Sequence, residues 1–143
     1  MIKVGLISDT HSYLHPGVLK FIDKCDEIWH AGDVGSIDIA DKLSAIAPLV
    51  AVYGNIDNHI IRQQYKKTEV FIREGMKIMM THIGGYPGRY ARGIPDLLLI
   101  HKPGLFISGH SHILKVINDP QRKILHINPG AAGKYGFHTV RTA

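Results

Sequence analysis

Short apolar runs recur along the chain, and several of them lead directly into Gly, Asp, Asn or His. Residues 2–7 are nearly all apolar, which is typical of a strand that is buried on both faces. The runs 27–31 and 49–53 predict two further strands. The first third of the chain therefore predicts three strands, each ending at a polar residue.

Helical spacing of apolar residues appears between these strands. Pro16 begins one such segment, whose apolar stripe extends to Cys25. Residues 37–47 form the other, with Ser36 as the expected N-cap. The alternation predicts a β-α-β-α-β unit, which implies a parallel sheet with right-handed crossovers.

The pattern changes after residue 68. Two pairs of strands are predicted as hairpins, the first turning at Glu74-Gly75. A Gly- and Arg-rich loop, a short helix that starts at Pro95, and another strand lie between the hairpins. A parallel half followed by hairpins predicts a mixed-sheet αββα sandwich. The predicted segments are strands 69–73 and 76–81, loop 86–93, helix 95–101, strand 105–108, and strands 114–117 and 123–127.

Composition narrows the class of protein. The 143 residues are 45% hydrophobic and 20% charged, which is typical of one ordinary globular domain, expected here over 1–143. No run of about 18 apolar residues is present, so no membrane span is expected. The N-terminus reads as a strand and not as an export signal. Cys25 is the single cysteine, which excludes an internal disulfide and agrees with a cytoplasmic location.

The net charge of +5 is spread along the chain, and Lys66-Lys67 is its longest cationic run. Such a charge favours anionic substrates weakly. Nucleic acid larger than nucleotides is not an expected partner, and a homo-oligomer is left open.

Five polar motifs follow the apolar runs. Because the carboxyl ends of neighbouring strands meet at one edge of a sheet, side chains that leave those ends can come together. Oxygen and imidazole ligands converging there suit a pair of divalent cations. Residues 9 and 11 are i and i+2 at a strand end, so their side chains are expected to leave on the same side. The motifs are Asp9-Thr10-His11, Gly32-Asp33, Gly54-Asn55, Thr81-His82 and Gly109-His110-Ser111-His112.

The order of these motifs resembles the calcineurin-like metallophosphoesterase superfamily, and in particular its small bacterial and archaeal phosphodiesterases. The resemblance spans residues 4 to 130. It implies an α/β fold, an αββα sandwich of two mixed β-sheets flanked by helices. It also implies two metal sites that share Asp33 as a bridging ligand. The first would be held by Asp9, His11, Asp33 and His112, and the second by Asp33, Asn55, His82 and His110.

The activity implied by this resemblance is hydrolysis of a small phosphodiester by a water or hydroxide held between the two metals. The expected cofactors are two divalent transition-metal ions, with Mn first and Fe, Zn or Ni as the other candidates. The residues expected to take part in catalysis are Asp33, Asn55 and Asp57. No membrane partner is expected.

One position departs from the family pattern. Many relatives have a His directly after the Gly-Asn motif that is thought to protonate the leaving group, whereas this chain has Ile56. Asp57 or His59 can be considered as substitutes, or both can be surface turn residues. The stronger role for Asp57 is to orient a metal-bound histidine.

Other polar residues receive more modest roles. His30 is expected to pack or hydrogen-bond beneath the site, and Asn128-Pro129-Gly130 matches a family signal near the site floor. Arg89 and Arg92 can either grip phosphate or lie on a solvated surface. The histidines expected to have ordinary structural roles are His15, His101, His126 and His138.

Three alternatives to a phosphodiesterase remain open. A phosphomonoesterase is the nearest, and Ile56 weighs against it. A non-catalytic, metal-binding interaction scaffold is the second, since the retromer subunit of eukaryotes resembles this fold after losing ligands. A nuclease is the third, although nuclease relatives carry added DNA-binding domains. Relatives also continue with more strand after Gly130, so the chain is expected to be short at its C-terminal end.

Overall fold

The computed structural model describes residues 1–134. No helix in this part of the chain is long and apolar enough to cross a membrane. His138 and the expectation of a short C-terminal end lie outside the described residues.

The first half forms a parallel sheet with the strand order β1-β2-β3. The helices that connect its strands follow the predicted β-α-β-α-β order, so that prediction is confirmed. Within residues 1–134 this sheet contains only parallel pairs, as the β-α-β-α-β pattern predicted, whereas the family resemblance implied two mixed sheets. Its elements are β1 (Val4–Ile7), α1 (Pro16–Ile22), β2 (Glu27–His30), α2 (Ile37–Ile46) and β3 (Leu49–Ala51).

The second half forms a mixed sheet with the order β4-β5-β8-β10-β9. The pairs β4·β5 and β10·β9 are the two predicted antiparallel hairpins, and β5·β8 and β8·β10 are parallel. A short separate hairpin pairs β6 with β7. The elements are α3 (His59–Gln64), β4 (Thr68–Arg73), β5 (Met76–Thr81), β6 (Gly85–Tyr86), β7 (Arg89–Tyr90), α4 (Ile94–His101), β8 (Leu105–Ile107), β9 (Leu114–Asp119) and β10 (Ile124–Pro129).

Three apolar layers hold the sandwich together. Ile7 of β1 and Leu43 of α2 belong to the layer outside the first sheet. Trp29 and Met80 belong to the layer between the two sheets. Phe106 packs in the third layer, which includes α4 on the far side of the second sheet. The layers therefore run helix, sheet, sheet, helix, as the family resemblance implied.

Three local predictions differ from the structure. Helix α1 ends at Ile22, three residues before Cys25, because the Cys25 N–H turns back to the Ile22 carbonyl. Ser36 occupies the N-cap of α2, yet its side chain makes no capping hydrogen bond. The predicted loop 86–93 contains part of the β6–β7 hairpin, whose two-residue strands are too short to show a periodic pattern.

Helix α3 was not predicted. Asn58 is its N-cap, and the Asn58 side-chain oxygen accepts a hydrogen bond from the Ile61 N–H at 3.2 Å. Asn is a strong N-cap residue, so this signal was present in the sequence. Six residues are too few to show the apolar repeat on which helix prediction rests.

His126 is an ordinary-looking histidine that proves to be fully buried. It lies on β10 with its ring 5.2 Å from that of Phe106, and neither ring nitrogen makes a well-formed hydrogen bond within residues 1–134. Burial lowers the pKa of His126 to about 4; a weak contact with the Phe106 backbone opposes this shift without outweighing it, and the nearby Lys115 acts with burial. The folded protein therefore holds this imidazole in its neutral form.

We expect His126 to make the fold sensitive to acid. The unfolded chain takes up a proton at this imidazole near pH 6.5, while the folded chain stays neutral to about pH 4, so stability is lost as the pH falls between these values. His126→Leu should remove about 3 kcal/mol of this loss at pH 4. Urea unfolding of the metal-stripped protein from pH 7.5 to 4 measures it. His59→Leu, at an exposed imidazole, is the control, and an unchanged acid slope in His126→Leu would refute the account.

Candidate metal centre

The predicted polar motifs meet at one edge of the two sheets. The Asp9 N–H donates to the Gly32 carbonyl at 3.0 Å, which joins the loop after β1 to the loop after β2. The Gly109 N–H donates to the His82 carbonyl at 2.9 Å, which joins the loops after β8 and β5. Backbone hydrogen bonds thus hold neighbouring loops in register and bring distant motifs together.

Six of the seven predicted ligand residues fall into two groups. Within each group the candidate ligand atoms all lie within 4.8 Å of one another. The division matches the two halves of the ligand set implied by the family resemblance. One group is Asp9, His11 and His112, and the other is Asp33, His82 and His110.

The two oxygens of the Asp9 carboxylate have different surroundings. Asp9 Oδ2 accepts hydrogen bonds from the Ser8 hydroxyl at 2.6 Å and from the His110 N–H at 3.1 Å. Asp9 Oδ1 is buried and has no hydrogen-bond partner among the described residues. It lies 3.1 Å from His112 Nε2 and 3.8 Å from His11 Nε2. One oxygen is therefore fixed by the loops, and the other is presented to the imidazoles.

Asp33 lies between the two groups. Its Oδ1 accepts the Ile56 N–H at 3.1 Å. Its Oδ2 is 3.6 Å from His11 Nε2 in one group and 3.2 Å from His82 Nε2 in the other. Burial opposes ionisation, but His82, the Ile56 N–H and His11 outweigh it and hold the pKa of Asp33 below its usual value. An ionised carboxylate oxygen therefore faces both groups.

The tautomer of His82 is fixed by its surroundings. His82 Nδ1 lies 2.8 Å from the Ala31 carbonyl, which can only accept, so Nδ1 carries the proton. Burial disfavours the charged ring, but Asp33 and Asp9 outweigh burial and raise the pKa of His82. In the neutral ring the Nε2 lone pair faces the two carboxylates. That contact is repulsive unless a proton or a metal cation lies between them.

Three buried atoms within residues 1–134 indicate that a metal cation, and not only a proton, lies between these groups in the functional protein. Asp9 Oδ1, His11 Nε2 and His82 Nε2 have no hydrogen-bond partner. Two ligand atoms that share one cation at about 2.0–2.2 Å lie about 3.0–3.6 Å apart. The observed separations of 3.1–3.8 Å fall close to that range. The cluster fits divalent cations in donor type and in spacing.

The backbone of the cluster is strained, and this corrects one prediction. Residues 9 and 11 do not continue strand β1, which ends at Ile7, so strand alternation is not what aligns their side chains. Instead, the backbone turns through left-handed conformations that cost non-glycine residues about 1–3 kcal/mol each. Such residues cluster at functional sites. The strained residues are Asp9 (φ 54°), His11 (48°), Asp33 (55°), His110 (70°) and His112 (60°).

Asn55 is the seventh predicted ligand, and its neighbours place it at the cluster. On one side, a Cβ at Gly54 would contact Asp33 Oδ1, and on the other the Ile56 N–H binds the same oxygen. Asn55 itself is exposed and lines a cleft together with His82. The loop therefore lies directly against the Asp33 carboxylate.

Comparison with known proteins decides the family. Residues 2–143 match the model of the calcineurin-like phosphoesterase superfamily domain. The chain belongs to this superfamily. Its membership and the two donor groups support a phosphoesterase that hydrolyses its substrate with divalent metal ions.

Known proteins similar to this chain align with it over most of their own length. A probable metallophosphoesterase of Methanothermobacter thermautotrophicus is 31% identical over 133 residues, which cover 90% of this chain and 76% of the relative. Vps29 of Entamoeba histolytica, solved as a Zn²⁺ complex, superposes on this chain with a TM-score of 0.75 at 21% sequence identity. The alignment covers 97% of this chain and 79% of the Vps29 chain. A structure described as a novel archaeal phosphodiesterase has a TM-score of 0.72 at 20% identity, covering 92% and 85%. These two structures confirm the fold.

Asp57 has a different role from the one expected for it. Its carboxylate is buried and accepts three backbone N–H groups, from Gly35 at 2.8 Å, Gly54 at 2.7 Å and Val34 at 3.2 Å. Among residues 1–134, the hydrogen bonds of this carboxylate all come from backbone N–H groups and none from a histidine. The prediction that Asp57 orients a metal-bound histidine is wrong. Asp57 instead ties the loop that carries Asp33 to the loop that carries Asn55.

We expect Asp57→Asn to loosen both loops. An amide NH₂ cannot accept hydrogen bonds, so at least one buried N–H loses its partner, at a cost of about 1–3 kcal/mol. Metal affinity should fall about 10–100-fold, as for other residues that orient ligands. Thermal unfolding and equilibrium dialysis against Mn²⁺ measure the two effects. Asp26→Asn, which alters an exposed acceptor of the Lys3 N–H, is the control. Wild-type metal affinity in Asp57→Asn would contradict this role.

Two further residues support the ligand loops. His30 Nδ1 accepts the Gly32 N–H at 3.1 Å, so its Nε2 donates to Thr10 Oγ1 at 2.9 Å, which confirms that His30 hydrogen-bonds beneath the site. Burial, and then His82, lower the pKa of His30 to about 3, and the ring stays neutral. Asn128 Nδ2 donates to the Gly109 carbonyl at 2.8 Å and anchors the loop that carries the last two histidines.

Three arginines and His59 occupy different places around the metal cluster, and only some of them border its cleft. Arg62 was not predicted, yet its Nε donates to the Asp57 carbonyl at 2.7 Å and its Nη2 to the Asn55 carbonyl at 3.1 Å. Arg92 lines the cleft beside the cluster, whereas Arg89 borders a separate depression. His59 is the exposed first residue of α3. A lone arginine at the fourth position of a short helix gives no sequence signal for the role of Arg62.

Proposed function

We propose that the chain is a dinuclear metal-dependent phosphodiesterase, formed by a single domain over residues 1–143. The observation that carries this proposal is the set of buried, unpartnered atoms that converge from two donor groups, Asp9 Oδ1, His11 Nε2 and His82 Nε2. A buried polar atom without a partner costs about 1–3 kcal/mol, so three of them in one cluster argue for cations in the functional protein.

The ligand assignment follows the geometry of the two groups. Asp9, His11 and His112 would hold one ion, and His82 and His110 would hold the other together with the amide oxygen of Asn55. Asp33 would serve both, because its Oδ2 faces an imidazole of each group. Mixed imidazole and carboxylate ligation favours Mn, Fe, Zn or Ni, with Mn proposed first.

When bound, such a metal pair activates a water as the nucleophile and neutralises charge on the phosphate. The chain's own residues prepare the site for that chemistry. Ser8 and the His110 N–H hold Asp9 so that its second oxygen faces inward. The Ala31 carbonyl keeps the proton of His82 away from the cluster.

The surroundings of the cluster favour a diester over a monoester. Each of three ligand positions is followed by an isoleucine that is about half exposed, namely Ile56 (46%), Ile83 (45%) and Ile113 (56%). These side chains donate neither a proton to a leaving group nor a hydrogen bond to a phosphate dianion. Exposed apolar side chains directly after three ligand positions suit a phosphate that carries organic groups on both sides.

The proposal is tested with two artificial substrates. Metal-stripped protein is reloaded with Mn²⁺, Fe²⁺, Zn²⁺ or Ni²⁺, and hydrolysis of bis(p-nitrophenyl) phosphate is compared with that of p-nitrophenyl phosphate. We expect the diester to have the higher kcat/KM, by about tenfold or more, a difference of about 1.4 kcal/mol, since apolar side chains beside the ligands suit a phosphate that carries organic groups on both sides. Faster monoester turnover would indicate a phosphatase. No turnover with two ions bound would indicate the scaffold role suggested by the Vps29 neighbours.

A further inference from the structure

A cleft of about 580 Å³ opens beside the second donor group, and its walls include Asn55 and His82. This volume lies in the range of about 300–1,000 Å³ that small-molecule sites occupy. One wall is apolar and includes the buried Ile94 and the partly buried Leu97. The cleft is therefore large enough for an organic group attached to a phosphate held at the cluster.

Two cations line the cleft with their charges uncompensated. Lys67 and Arg92 are both exposed, and neither has a carboxylate within salt-bridge distance among residues 1–134. The neighbouring Lys66, by contrast, lies 3.6 Å from Glu69. Arg62 also lines the cleft but directs Nε and Nη2 to backbone carbonyls. Lys67 and Arg92 are thus the cleft cations whose charged groups make no hydrogen bond or ion pair to residues 1–134, whereas Arg62 is partly held by the backbone.

The backbone at both cations is fixed relative to the metal cluster. Thr81 directly precedes His82, and its hydroxyl donates to the Lys67 carbonyl at 3.1 Å. The Ala91 N–H donates to the Gly84 carbonyl at 3.0 Å, which holds the residue before Arg92 close to the His82 loop. The backbone that carries both cations is therefore tied to the end of β5 and to the loop that contains His82.

The two threonine hydroxyls that line the cleft already donate their protons within the protein. The Thr81 hydroxyl proton is used by the Lys67 carbonyl, and the Thr68 hydroxyl donates to Thr81 Oγ1 at 3.2 Å. An anionic group in the cleft would accordingly be bound by Lys67 and Arg92, while its organic part would lie against Ile94 and Leu97.

We propose that this cleft is a substrate subsite for a phosphodiester that carries a second anionic group on one of its organic substituents. The inference rests on the proposed phosphodiesterase function and adds the substrate class to it. The reacting phosphate would lie at the metal cluster, and the second anion would lie between Lys67 and Arg92. A cationic or neutral substituent gains nothing from this pair.

The test compares thymidylyl-thymidine with the same dinucleotide bearing a 5′-terminal phosphate, so that the two substrates differ only in the second anion. We expect kcat/KM to be about tenfold higher for the phosphorylated form, since charge-assisted hydrogen bonds are about twice as strong as neutral ones. In Lys67→Gln/Arg92→Gln this ratio should fall to near one. Arg89→Gln, which removes a cation from the neighbouring hairpin outside the cleft, should retain the wild-type ratio.

Equilibrium binding separates this inference from the proposed function. Calorimetry on the metal-loaded wild type, with a non-hydrolysable methylenephosphonate linkage in both dinucleotides, should show the same preference for the 5′-phosphorylated form. The preference should be lost in Lys67→Gln/Arg92→Gln. A binding preference without any diester turnover in the wild type would refute the phosphodiesterase and leave the subsite standing. Turnover of bis(p-nitrophenyl) phosphate with equal affinity for both dinucleotides would refute the subsite alone.

Discussion

Replacing Asp33 by Asn is expected to reduce kcat/KM for bis(p-nitrophenyl) phosphate by about 10³-fold or more. The Oδ2 atom of Asp33 faces His11 in one donor group and His82 in the other, so a single substitution affects both groups. The amide removes a negative charge from between the two proposed cations and leaves one oxygen where two were available. Metal analysis should show fewer than two ions per chain.

The matched control for this variant is Asp119→Asn. Asp119 is also buried, and its carboxylate accepts the Tyr90 hydroxyl at 2.8 Å and the Arg122 N–H at 3.2 Å on the far hairpin. The Asp119→Asn protein should lose stability while keeping the metal content and the turnover of the wild type. Equal turnover in Asp33→Asn and the wild type at full metal loading would contradict the shared role of Asp33.

Gly54→Ala should abolish metal binding as effectively as loss of a ligand. A Cβ at this position would contact Asp33 Oδ1 and the Asp33 backbone nitrogen, and would lie 2.7 Å from Asp33 Cγ. The Gly54 loop cannot retreat easily, because its N–H donates to Asp57 at 2.7 Å. We expect a loss of about 1–3 kcal/mol in the free energy of unfolding, and turnover near background, because the strain displaces the Asp33 carboxylate.

Thermal unfolding and Mn²⁺ dialysis of the alanine variant measure these effects. Gly104→Ala is its control, because a Cβ there makes only ordinary contacts, the nearest with the flexible Met76 side chain at 3.4 Å. Wild-type metal content in Gly54→Ala would show that the Gly54 loop does not hold Asp33 in place.

The main features of the fold followed from simple patterns in the sequence. Apolar runs that end in a polar residue located the three strands of the first sheet and the strand before His82. The turn at Glu74-Gly75 identified a hairpin, and both residues have positive φ, 47° and 78°, as that turn requires. Element bounds and short elements were less certain, since α3 and the β6–β7 hairpin are too short to show a period.

The candidate site was only partly predictable. The motifs were recognised because they stand near the ends of apolar runs, and their resemblance to a known family then implied the seven ligands, six of which the structure brings into two groups. Their left-handed backbone was not predictable, because Asp9 and His11 carry no local signal for it. The role of Asp57 was misjudged, because three backbone N–H groups converge on it only after the chain has folded.

The burial of His126 and the position of Arg62 were missed for a similar reason. Strand alternation places His126 on one face of β10, but only the packing of Phe106 shows that this face is closed to water. Arg62 acts through backbone carbonyls of a neighbouring loop, and such partners leave no trace in the spacing of residues.

A metal titration followed by turnover tests the central claim most directly. Metal-stripped protein is titrated with Mn²⁺, and the bound ions per chain are measured alongside hydrolysis of bis(p-nitrophenyl) phosphate. The account predicts that turnover reaches its maximum only when two ions are bound, and that Asp33→Asn fails to reach either value. Full turnover with one bound ion, or none with two, would contradict a dinuclear phosphodiesterase built on Asp33.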